Sequence, residues 1–226
     1  MDDALPIVAL DTETTSLAPT VSRYGRRAWE FAAIRRDALG CMSGLLAHVQ
    51  LPSTRMEHAN PESLEIGGYH ARAPWSPRWG GIEHAKERHD ADLRAHPLFK
   101  PGDLVAYRCV LLGDGQATYE LGLLLIDFLK GATVVGSNPG FDTENVSAFL
   151  HDAGMPLAQL APWHYKAYDI AAHGSAALNL PGPGPSTKDL SARYGIDRPV
   201  EHTGLADAAW ALAMHDEIEA FKQVRV

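Results

Sequence analysis

The feature that most constrains the fold is a short apolar segment that ends directly in acids. Residues 5–10 are almost continuously apolar, a pattern typical of a strand buried on both faces near the middle of a sheet. Asp11 and Glu13 follow, and the period-two alternation of a strand places both carboxylates on one face. Two like charges at this separation require a cation between them, or one of them must stay protonated. The sequence therefore predicts a charged site at the end of a central strand.

The remaining pattern predicts an α/β domain with a mixed sheet. Strand candidates at Trp29–Ile34 and Gly44–Val49 follow the first strand in a meander, and helices then alternate with short apolar segments. Helices are expected to start at Asn60 and at Ser186, and three further helices are expected over 117–129, 142–153 and 204–221. Two further strands are expected at 133–136 and 168–170.

The segment between residues 72 and 115 lacks clear periodicity and contains repeated Pro and Gly. Because it is neither low in complexity nor free of aromatics, we interpret it as an insertion in a single domain that spans residues 1–226. Arg72–Trp79 interleaves basic and aromatic residues, as a stacking platform for a single strand does. The favoured alternative is a Pro-rich loop whose tryptophans pack on the domain.

Two further acids lie on apolar helix faces. Asp207 shares a face with Trp210, Ala211 and Met214, and Asp142 shares one with residues that follow it in its helix. Taken alone, Asp142 could be a helix N-cap. Unpaired buried carboxylates are costly, however, and binding of a divalent metal by the converging acids would explain Asp11, Glu13, Asp142 and Asp207 together. Hard oxygen ligands favour Mg²⁺ or Mn²⁺ over zinc.

Composition limits the class of partner and the compartment. The chain has 20 basic and 28 acidic residues and a net charge of −8, which argues against a protein that coats long duplex nucleic acid. It is compatible with a protein that binds a strand end through metal ions. Its two cysteines form no Cys-x-x-Cys pair, and no apolar run approaches the ~20 residues of a membrane span. We expect a cytoplasmic protein without a membrane partner.

Three motifs resemble those of the proofreading-type 3′→5′ exonuclease superfamily, in its branch with four acids and a histidine (DEDDh). Residues 11–17 resemble the first motif, with Ser16 where Gly is usual, and residues 138–142 resemble the second. Residues 202–207 resemble the third, with His202 five residues before Asp207. Gly67-Gly68 departs from the family, in which a His-Gly pair is common at that place.

The resemblance implies a fold and a reaction. The fold would be ribonuclease H-like, with a five-stranded mixed sheet flanked by helices. The reaction would be metal-dependent release of nucleoside 5′-monophosphates from the 3′ end of single-stranded or frayed DNA or RNA, as in DNA replication and repair. The implied cofactor is a pair of Mg²⁺ ions, for which Mn²⁺ would substitute.

The resemblance also assigns residue roles. The metal ligands would be Asp11, Glu13, Asp142 and Asp207; the general base would be His202; Thr14 and Leu17 would contact the terminal nucleotide, while Asn138 and Phe141 shape the site. An RNA-trimming exoribonuclease and a non-catalytic nucleic-acid-binding module on the same fold are the alternatives. The sequence leaves open a replication-protein partner and the oligomeric state, and its excess of Arg over Lys suggests a bacterial or phage genome.

Overall fold

The computed structural model describes residues 5–20, 25–181, 185–197 and 202–224. They form an α/β fold in which helices flank a mixed sheet, compatible with a ribonuclease H-like architecture. The sheet has six strands in the order β4-β3-β2-β1-β5-β6. The strands are β1 (Ile7–Thr14), β2 (Ala28–Arg36), β3 (Met42–Gln50), β4 (Leu104–Leu111), β5 (Thr133–Gly136) and β6 (Tyr168–Asp169).

Helices lie on both faces of this sheet. They are α1 (Ser53–Met56), α2 (Pro61–Ile66), α3 (Tyr69–Arg72), α4 (Ile82–Arg94), α5 (Gly115–Leu129), α6 (Pro139–Asp152), α7 (Ile170–Ala177), α8 (Thr187–Tyr194) and α9 (Gly204–Val224). Within the described ranges, no helix is both long and apolar enough to cross a membrane.

Strand β1 occupies the interior of the sheet, as its sequence predicts. It pairs antiparallel with β2 and parallel with β5. Val8 and Leu10 face the apolar cluster that includes α5 and α6, whereas Ala9 faces the cluster that includes α9. Both faces of β1 are therefore covered, and the acids at its end project from the middle of the sheet.

The sheet has six strands instead of the expected five, and the additional strand lies in the segment 72–115 that we interpret as an insertion. The structure has a sixth strand there, β4, which pairs parallel with β3 at the sheet edge, and α4 precedes it. The buried stripe of α4 is only Ala85, His89 and Leu93 among charged residues, so its periodicity in the sequence is faint. Trp75 packs against the core and donates its indole N–H to the Tyr69 hydroxyl (2.7 Å), in agreement with the packed alternative.

Helix α9 lies against β1 and β2 through the predicted face. Trp210, Ala211 and Met214 are buried there. The helix begins at Gly204, where an added Cβ would lie 2.9 Å from the Ala32 Cβ and 2.9 Å from the nearest Glu30 oxygen. A glycine at this position allows the start of α9 to approach the sheet.

This contact predicts the effect of a single methyl group. Gly204→Ala should lower the free energy of unfolding by about 1–3 kcal/mol, because the neighbours of the new Cβ are packed. Gly115→Ala is the matched control, since Gly115 also begins a helix and an added Cβ meets nothing within 4 Å. It should leave stability unchanged or raise it by up to about 1 kcal/mol. Urea denaturation measures both, and equal midpoints would contradict the packing argument.

Candidate metal centre and adjoining pocket

Three carboxylates meet where β1 ends and α9 begins. One oxygen from each of Asp11, Glu13 and Asp207 lies within 4.8 Å of the other two, and no other such group of three potential ligands occurs among the described residues. Asp11 and Glu13 share a face of β1, and Asp207 lies in the first turn of α9. The structure thus brings together three of the four acids that the sequence nominates as metal ligands.

The cluster is under electrostatic stress. Burial, followed by the charges of Asp142 and Glu13, raises the pKa of Asp11 well above its usual value. Burial and the charge of Glu30 raise the pKa of Glu13 to about 8, although Arg72 opposes this. A divalent cation would relieve the repulsion among ionised forms, and carboxylate oxygens are the ligands that Mg²⁺ and Mn²⁺ prefer. The donor set therefore fits the expected metal.

Asp142 lies beside this cluster in the first turn of α6. Its Oδ1 accepts from the backbone N–H of Thr12 (3.0 Å) and from the Thr12 hydroxyl (2.7 Å). Burial raises the pKa of Asp142 to about 7, against the lowering effect of these hydrogen bonds. Asp142 follows the start of the helix at Pro139 and is not its N-cap, which is Asn138. It belongs to the same charged region without being one of the three converging ligands.

A chain of hydrogen bonds fixes Thr12 and, through it, Asp142. The Asn145 amide donates to the Thr12 hydroxyl (2.8 Å), and Arg26 Nε donates to the Asn145 carbonyl oxygen (2.8 Å). The Arg26 guanidinium also lies over the Phe141 ring, 4.0 Å from its centre. The structure buries Arg26, which supports this site through these contacts.

His202 stands at the rim of the centre. Its Nδ1 is 3.6 Å from Asp207 Oδ2, and its side chain is 48% exposed. It lines a cavity of 180 Å³ together with all three converging carboxylates. The structure thus places the predicted histidine within reach of a group held by the acids, on the solvent side.

A second cavity of 300 Å³ adjoins the first and shares Thr12, Glu13 and Ile66 with it. Its walls include Leu17 and Ile66, which are 77% and 59% exposed. The other lining residues are Thr12, Glu13, Thr14, Asn60, Glu62, Ser63 and Phe141. Thr14 and Leu17, the predicted contacts to the nucleotide, line this pocket. Of the two residues predicted to shape the site, Phe141 lines the pocket and Asn138 lines neither cavity.

Sequence reasoning missed the polar residues behind the metal ligands. Glu30 is buried in β2 and contacts His48 of β3 and Arg72 of α3. Glu30 and His48 are titratable residues inside apolar strands, the same signal that singled out Asp11.

Neither protein-family models nor curated proteins give a match to this sequence.

The raised pKa of Glu13 predicts how stability depends on pH without metal. The folded state binds this proton more tightly than the unfolded chain, so the contribution of Glu13 to stability falls as pH rises from 4.5 towards about 8. In EDTA, Glu13→Gln should gain stability relative to wild type across that interval. Thermal unfolding at several pH values measures the difference, with the exposed Glu217→Gln as control. If the difference in unfolding temperature between wild type and Glu13→Gln does not change with pH, the raised pKa of Glu13 is contradicted.

Proposed function

We propose that this chain is a metal-dependent 3′→5′ exonuclease that releases nucleoside 5′-monophosphates from single-stranded or frayed ends of DNA or RNA. The observation that carries the proposal is the convergence of Asp11, Glu13 and Asp207 beside an open, partly apolar pocket, with His202 at its rim. Metal ligands, a proton acceptor and a space for a nucleoside are the parts that hydrolysis of a terminal phosphodiester requires.

The carboxylates would hold the metal. Asp11, Glu13 and Asp207 supply converging oxygens, and Asp142 adds negative charge at their side. Two bound Mg²⁺ ions, or Mn²⁺ in their place, would lower the pKa of the attacking water and offset the negative charge that develops at phosphorus. Two hydrogen bonds from Thr12 hold the Asp142 carboxylate in place beside the other three carboxylates.

His202 would accept the proton of the attacking water. Its Nδ1 faces Asp207 Oδ2 at 3.6 Å, and Nε2 would then be the proton acceptor. Because the imidazole is half exposed, the proton can pass on to solvent after the reaction. An imidazole suits this role because its ordinary pKa lies near neutral pH.

The adjoining pocket would hold the terminal nucleoside. Leu17 and Ile66 would present apolar surface to a base, and such a surface accepts any base because every base has an apolar face. The Thr14 hydroxyl donates to the Ser16 carbonyl (3.0 Å), so it remains an acceptor for a hydroxyl of the terminal sugar. This combination favours recognition of a strand end over recognition of sequence.

A nuclease assay tests the proposal directly. Single-stranded DNA and RNA labelled at the 5′ end should give 3′-shortened ladders with Mg²⁺ and none with EDTA, and the faster ladder identifies the preferred sugar. Asp207→Asn should remove cleavage of both, while Glu217→Gln on the exposed side of α9 should retain it. Tight binding without any ladder would favour the binding module instead, and full activity of Asp207→Asn would sink the assignment.

The role of His202 predicts a pH-dependent loss. His202→Ala should lower kcat at neutral pH by about 10²–10⁴-fold, the usual contribution of a general base. The deficit should shrink above pH 9, where hydroxide is available as nucleophile. Steady-state rates between pH 6 and 10 measure the effect, with the exposed His84→Ala as control. A deficit that stays constant across this range would assign His202 another role.

A further inference from the structure

Two glutamates face each other across the central strands. Glu13 of β1 and Glu30 of β2 are direct register partners in the antiparallel pair, so their side chains lie on the same face of the sheet. Like charges opposite each other destabilise a sheet. The pair therefore needs a cation of its own, separate from the metal.

Arg72, the last residue of α3, provides this cation. Its Nη1 lies 2.7 Å from both Glu30 oxygens. Its Nη2 donates to the Gly67 carbonyl and lies 3.5 Å from Glu13 Oε1. The guanidinium also lies over the Trp29 ring, 5.3 Å from its centre. One planar group thus connects the two glutamates and the turn between α2 and α3.

The same contacts extend to α9. Glu30 Oε1 accepts from the backbone N–H of Gly204 (2.8 Å), the first residue of α9, and Oε2 is 2.9 Å from His48 Nε2. Asp207 follows one turn later on that helix. Arg72 therefore holds Glu30, and Glu30 holds the end of the helix that carries the third carboxylate.

Gly67 limits the position of Glu13 from the other side. A Cβ at residue 67 would lie 2.6 Å from Glu13 Oε2. The backbone at Gly67 is right-handed helical (φ −70°, ψ −3°), so alanine would fit the backbone while displacing the glutamate carboxylate. The glycine at this place leaves room for Glu13 between the turn and the guanidinium.

We propose that Arg72 is a positioning residue for the metal centre, which fixes Glu13 directly and Asp207 through Glu30 and α9. This proposal rests on the proposed function, because it concerns the same metal site. The effect of Arg72 on metal binding can nevertheless be tested without measuring cleavage. A group that orients metal ligands is expected to change metal affinity by about 10- to 100-fold when removed. A group that only supports the fold changes stability alone.

The experiment measures Mn²⁺ affinity by the loss of the free-ion EPR signal, alongside thermal unfolding. The main variant is the double substitution Glu30→Gln with Arg72→Ala, because it removes a cation and an anion together. The net charge near the metal then stays constant, position 30 carries no unpaired buried charge, and the glutamine can still accept from Gly204. We expect Mn²⁺ affinity about 10- to 100-fold weaker than wild type.

Two further variants separate position from charge and fold. Arg72→Lys keeps the charge but lacks the planar fork that reaches Glu30, Gly67 and Glu13 together. It should therefore be more stable than the double variant and bind Mn²⁺ as weakly as the double variant does. Gly67→Ala should remain as stable as wild type and still bind Mn²⁺ more weakly. Arg27→Ala is the matched control, since it breaks another largely buried ion pair, with Asp152 (2.8 Å), and should lower stability only.

Activity provides a second readout. With 5′-labelled oligonucleotides, the double variant and Arg72→Lys should lower kcat and leave KM within about twofold of wild type, because the guanidinium does not line the nucleoside pocket. Variants that fold and bind Mn²⁺ as tightly as wild type would overturn the proposal, as would a wild-type chain without Mn²⁺ affinity. Metal binding that depends on Arg72 in a chain that cleaves nothing would uphold it and refute the proposed function.

Discussion

The ion pair between Glu30 and Arg72 is the interaction on which the rest of the centre depends. Burial alone would raise the pKa of Glu30, but the Arg72 guanidinium and the His48 hydrogen bond outweigh it and lower the pKa to about 2. A buried ion pair is tolerated only when hydrogen bonds satisfy its remaining atoms. Glu30 meets that condition with Gly204 and His48, and each of these contacts joins another element to β2. The Glu30 carboxylate therefore both pairs with Arg72 and connects β2 to β3 and to the start of α9.

The structure stabilises its other acids by different means. Asp142 accepts hydrogen bonds from Thr12, whose hydroxyl is fixed in turn by Asn145. Asp11 accepts no hydrogen bond among the contacts described, and Glu13 has only the longer contact with Arg72 (3.5 Å). The pKa values of all three acids remain raised. The Glu30–Arg72 ion pair thus lies beside the cluster, whereas the carboxylates of the cluster carry an excess of negative charge when ionised. Such an arrangement is suited to a rigid frame around a cation site.

The part of the centre that could be predicted from the sequence is the part encoded by local periodicity. Alternation placed Asp11 and Glu13 on one face of β1, and helical spacing placed Asp207 on the buried face of α9. Arg72 could not be found in this way, because its partner Glu30 lies 42 residues away and their meeting depends on how α3 packs on the sheet. The charged surface of α4 (Ile82–Arg94) hid a narrow buried stripe, which is why the sixth strand after it was missed as well.

The centre is also divided along the chain. Asp11 and Glu13 belong to the first strand, whereas Asp207 belongs to the last described helix. Protein synthesis proceeds from the N-terminus, and the early elements can associate while later ones are still being made. A nascent chain without α9 therefore has Asp11 and Glu13 close together but lacks Asp207. Glu30 likewise lacks the hydrogen bond from the backbone N–H of Gly204. A metal site formed by these three carboxylates would be complete only after α9 has packed on the sheet, so metal binding would report that contact.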